Sequence, residues 1–92
     1  MNKNIEIIQA GHNLATALGW KDGGNCAEVY KLLDLNKQDR IGNFKMEVAK
    51  LCAATGAEIP RDILDEAFDE MDAINFVMGM LTSKSELKKL LE

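Results

Sequence analysis

Residues 63–81 read ILDEAFDEMDAINFVMGML, and the way this run coils decides how the rest of the chain can pack. Leu64, Ala67, Met71, Ile74, Met78 and Leu81 recur in steps of three and four, the spacing that lines side chains along one face of an α-helix. The first half also carries acids at Asp62, Asp65, Glu66, Asp69, Glu70 and Asp72. Residues 73–81 are apolar nearly all round, interrupted only by Asn75 and Gly79. A helix that starts amphipathic and ends apolar on every side begins at the surface and finishes inside something, either its own core or a partner. Ile59-Pro60 resets the chain just before it, because a residue preceding proline avoids the helical region and proline suits a first turn. The spacing therefore predicts one long helix over residues 60–81, roughly 30 Å at 1.5 Å per residue.

Upstream, residues 40–55 show Ile41, Phe44, Val48, Leu51 and Thr55 in the same rhythm, with Cys52 and Ala53 alongside and Gly56 placed to stop the helix. Residues 25–35 form a shorter helix. Asn25 and Glu28 make its capping pair, and Cys26, Val29, Tyr30 and Leu33 its stripe, widened by Leu32 and Leu35. Lys21-Asp22-Gly23-Gly24 before it is turn chemistry, and residues 36–39 are a polar break after it. In residues 4–18 the inward face is Ile7, Ile8, Gly11, Leu14, Ala15 and Leu18. A glycine on that face costs roughly 1 kcal/mol of helix stability against alanine, so Gly11 implies that another helix comes close there. Gly19 fits a left-handed stop, with Trp20 folding back as in a Schellman ending. Downstream, Ser83 with Glu86 reads as a fresh cap, giving Leu87, Leu90 and Leu91 a short helix of their own; the rival is a long helix unbroken to residue 92.

Neither sustained alternation nor a hairpin signal survives anywhere, so the expected fold is all-α: a single domain over residues 1–92, a compact bundle of four helices plus a short C-terminal one. At 47% hydrophobic and 28% charged residues the composition is that of a globular protein and argues against disorder. The net charge of −4 is unevenly placed. Glu58, Asp62, Asp65, Glu66, Asp69, Glu70 and Asp72 stand against Arg61 alone, leaving the rest of the chain slightly basic. Such a patch is either a solvated helix face or a surface for a basic partner. Two scattered cysteines, Cys26 and Cys52, read as buried thiols of a reducing compartment. With no signal-peptide pattern and no membrane-length apolar run, the expected location is cytoplasmic, with no membrane association.

Chemistry is scarce. His12 is the lone histidine and falls beside the apolar stripe of its helix; with Cys26 or Cys52 it could form a dyad, but nothing in the spacing favours one. One histidine and two distant cysteines are too few for zinc, and no calcium loop or phosphate-cradling glycine motif is present. The expectation is no enzyme, no cofactor and no metal. A helix-turn-helix reading would send Asp62, Asp65, Glu66, Asp69 and Glu70 into the DNA groove, against the phosphate neutralisation on which DNA affinity rests. The alternative nucleic-acid surface is a basic stripe of Lys37, Arg40, Lys45 and Lys50, diluted by Asp39 and Glu47.

The leading expectation is a small protein–protein interaction module, an adaptor, inhibitor or regulator, that docks to a protein partner. Small acidic helical proteins of this kind are common among phage and mobile-element accessory genes. Its interface is expected at Asp65, Glu66, Asp69, Glu70, Phe76, Val77 and Met80, with two chains completing one core as a homodimer.

Overall fold

The inward face expected for the first helix is the one the fold uses. α1 (Lys3–Ala17) buries Ile7, Ile8, Gly11, Leu14 and Ala15, with Leu18 and Trp20 packed at the edge of the same core. The helix ends as a Schellman motif: Gly19 has φ 79°, its N–H donates to the Thr16 carbonyl at 3.0 Å, and the Trp20 N–H donates to the Ala15 carbonyl at 3.0 Å. The computed structural model describes residues 3–21, 26–37 and 41–92, with side chains at all of these except 26 and 33–37. The expected turn at residues 22–24, the Asn25 cap and residues 38–40 lie outside the described residues.

α2 (Cys26–Lys37) buries Val29 and Leu32 and leaves Tyr30 exposed. α3 (Ile41–Thr55) buries Phe44, Val48 and Cys52. It stops at Gly56, whose φ of 77° lets the Ala57 N–H donate to the Cys52 carbonyl at 3.0 Å, while the Thr55 hydroxyl turns back onto the Leu51 carbonyl at 2.9 Å.

The long helix expected over residues 60–81 does not form. It is divided into α4 (Arg61–Leu64) and α5 (Glu70–Leu81), with a break at residues 65–69 that turns at 65–67. The reason is written in the acids. On an unbroken helix Asp65, Asp69 and Asp72 would follow one another at steps of four and three onto the face that α5 buries through Phe76 and Met80. Carrying carboxylates into that interior without partners costs several kcal/mol each. The break gives each of them a backbone partner instead. Asp65 Oδ1 accepts from the Ala67 N–H at 2.9 Å, Asp69 Oδ1 accepts from the Asp72 N–H at 3.0 Å, and Asp72 Oδ2 accepts from the Asp69 N–H at 3.2 Å. The last two make a reciprocal capping box that starts α5.

α6 (Lys84–Leu91) is separate from α5, so the unbroken alternative falls. Ser83 caps it, accepting from the Glu86 N–H at 3.3 Å while its hydroxyl donates to Glu86 Oε1 at 2.9 Å. The result is all-helical among the described residues, with six helices where four and a short one were expected. α5 is the element the others share: it packs against α1, α2 and α3, while α2 also meets α3 and α6 leans on α1. None of these helices is long and apolar enough to cross a membrane, among the described residues.

Candidate docking site on the fifth helix

The break that starts α5 is pinned by an aromatic cluster. Phe68, 4% exposed, drops from the loop between α4 and α5 into the core. There its ring lies 6.2 Å from Phe44, nearly parallel at 17°, and 6.2 Å from Phe76, edge-on at 79°. Phe44 and Phe76 meet at 6.2 Å and 90°, closing the triangle. Lys45 covers it from α3: its Nζ stands 5.6 Å over the Phe68 ring and donates to the Asp65 carbonyl at 3.2 Å. Asp72, 4% exposed, adds a third anchor through Lys3 Nζ of α1 at 3.3 Å.

With its start fixed, α5 can present only one face inward. That face is Ala73, Phe76, Val77, Gly79 and Met80. Two glycines set its distance from α1: a Cβ on Gly11 would strike the Phe76 carbonyl, and one on Gly79 the Ile8 carbonyl. Gly11 was expected to admit a neighbouring backbone; Gly79 does the same, and each admits the other's helix. At the far end His12 Nδ1 lies 2.8 Å from the Thr82 carbonyl. A carbonyl only accepts, so Nδ1 carries the proton, and His12 fastens α1 to the end of α5.

Phe76, Val77 and Met80, expected at an interface, are core residues of the chain. At 0%, 1% and 1% exposure they are sealed within a single chain, because the capping box and the two glycines turn that side inward. The opposite side carries Met71, Ile74 and Met78, spaced to form one stripe, and these are 62%, 37% and 51% exposed. They belong to the apolar stripe that the sequence spacing marks along one face of the helix. Sequence reasoning missed them as surface residues, although Gly79, on the other side, already marked where a close neighbour must lie. Met71 and Ile74 open onto a groove of about 580 Å³ whose other walls are Ile41, Phe68, Asp69 and Glu70. Of the acids expected at an interface, Asp69 and Glu70 line this groove, while Asp65 and Glu66 are exposed in the preceding break. The surface is thus an apolar stripe with carboxylates at its N-terminal end, where the positive end of the α5 dipole also favours acids.

Other chemistry recedes. No group of three or more metal-ligating side chains is assembled among the described residues. Cys52 is a free thiol, 1% exposed, and burial pushes its pKa up, the reverse of an activated nucleophile. Cys26's side chain lies outside the described residues. Of the basic stripe, the Lys37 side chain and all of Arg40 lie outside the described residues; Lys45 is engaged on Asp65 and Phe68, and Lys50 stands 3.8 Å from Glu47. The helix a helix-turn-helix would insert is reduced to the four residues of α4. No family model, curated protein or solved structure matches the chain.

Proposed function

We propose that this chain is a protein–protein interaction module, an adaptor, inhibitor or regulator, acting by docking through the outer face of α5 and not by catalysis. The observation that carries the reading is the exposed stripe Met71, Ile74 and Met78 beside the carboxylates Asp69 and Glu70. A chain that seals Phe76, Val77 and Met80 nevertheless leaves three large flexible or branched apolar side chains in register on one helix. Methionine adapts to irregular partner surfaces, and a contiguous apolar patch with a polar border is the usual mark of an interaction site. Cytoplasmic residence agrees with the buried free thiol of Cys52.

The test places a photoreactive phenylalanine analogue at Ile74 and, as a control, at Lys31 on α2, in living source cells. Docking predicts a discrete protein adduct at position 74 and none of comparable yield at position 31. Equal yields, or no adduct at 74, would remove the reading.

A further inference from the structure

The outer face of α5 is set apart by what it is made of. Two of its three large apolar side chains are thioethers, Met71 and Met78, placed seven residues apart with Ile74 between them. Seven residues are two helical turns, about 10 Å, so a methionine stands on each side of Ile74. Both are open to solvent, at 62% and 51% exposure, while Met80, two residues beyond Met78, is 1% exposed. One helix therefore carries methionines of opposite accessibility. A thioether sulfur is soft and polarizable, and peroxides oxidise it where they can reach it.

We infer that Met71 and Met78 form a redox-sensitive modification site: a peroxide converts both to sulfoxides, and the α5 face then releases its partner while the fold stays intact. The inference rests on the docking reading above and adds its regulation. At each methionine the sulfur lone pair attacks one oxygen of hydrogen peroxide; an S–O bond forms and the O–O bond breaks. The sulfur gives up two electrons, the peroxide takes them, and the proton of the transferred hydroxyl passes to the leaving one, which departs as water. The product is polar and chiral where the thioether was apolar, so burying it against a partner leaves an oxygen acceptor to satisfy. The fold is indifferent to this change because α5 is held by other side chains. Asp69 and Asp72 cap its start, Phe76, Val77 and Met80 fill the core, and His12 engages the Thr82 carbonyl just past its end. Oxygen on Met80 would instead place a polar group in the core, and burial keeps peroxide from it until the chain opens.

The purified full chain, carrying the photoreactive analogue at position 74, is treated with hydrogen peroxide, freed of it and irradiated in extract of the source cells. Peptide mapping by mass spectrometry should find one added oxygen on Met71 and one on Met78. Met80 should react about tenfold more slowly, or slower still, until urea is added. Circular dichroism should be unchanged, and the adduct yield should fall about tenfold or more as two sulfoxides enter the interface. Methionine sulfoxide reductase should restore the yield. The Met71→Leu/Met78→Leu chain, of like volume and polarity, should keep its adduct through the same treatment. Met46, exposed on α3, is present in both chains and so is controlled for. Equal rates at Met71, Met78 and Met80, helicity lost as the outer pair oxidises, a yield indifferent to oxidation, or an adduct lost from the leucine chain as well would each overturn the switch and leave docking intact. No adduct from the untreated chain would remove docking and the switch with it.

Discussion

Gly11 and Gly79 are where a single methyl group would be felt most. Glycine to alanine inside a helix ordinarily stabilises by about 0.5–1 kcal/mol. Here the sign reverses, because the new Cβ meets main-chain carbonyls that cannot step aside without parting α1 from α5. Gly11→Ala and Gly79→Ala should each lower stability in urea by about 1–3 kcal/mol, the usual cost of overpacking. Gly42, in the first turn of α3 with nothing near its missing Cβ, is the internal control. Gly42→Ala should be neutral or stabilising by up to about 1 kcal/mol, and equal losses at all three positions would deny the close crossing. Cys52 carries a pH signature of its own. Its folded-state pKa lies above the thiol's ordinary 9.0 because burial disfavours the thiolate. That contribution is intact below pH 9.0 and is lost as pH rises through the folded value. Cys52→Val should therefore lessen the alkaline loss of stability followed by urea titration, and an unchanged slope would mean the thiol is not desolvated. Native-state thiol labelling at Cys52 should likewise be slow until the chain opens.

The division between α4 and α5 turns on local chemistry that can be tested piece by piece. Asp69→Ala removes the cap and should cost about 0.5–2 kcal/mol, while Asp69→Asn, which still accepts a hydrogen bond, should recover most of it. Phe68→Ala should cost about 3–5 kcal/mol, a large share of the 5–15 kcal/mol that holds a typical domain together. If Phe68→Ala were tolerated, the aromatic triangle would not be what holds the break in place. Much here was legible beforehand: the stops at Gly19 and Gly56, the Ser83 cap and the inward face of α1 all depend on short-range rules that act within a turn or two. The break at residues 65–69 was not, because it contains neither glycine nor proline and its apolar spacing runs through without a gap. Only the three-dimensional consequence, Asp65 and Asp69 carried into the core on the face of Phe76, forbids the continuous helix. The clue available was Asp69 followed three residues on by Asp72, a capping box written with two aspartates. Missing it reversed the two sides of α5, and with them the interface assigned to Phe76, Val77 and Met80.

As a whole the molecule is built around α5, with α1 brought against it by paired glycines and α2 and α3 closing the aromatic side. Its radius of gyration of 12.0 Å is that of a tightly folded chain of this length, about 12 Å. The all-α class followed from periodicity alone. Which side of the central helix meets water did not, since residues 73–81 are apolar in nearly every direction and their orientation is set by contacts distant in the chain. What distinguishes the two sides is burial, and two neighbouring residues report it. Urea unfolding of Val77→Glu and Met78→Glu places the same new charge on opposite sides of α5. Val77→Glu should lose several kcal/mol or fail to fold, as an unpaired buried carboxylate does. Met78→Glu should stay within about 0.5 kcal/mol of the wild type, as an exposed substitution does. Equal losses, or the reverse order, would contradict the account.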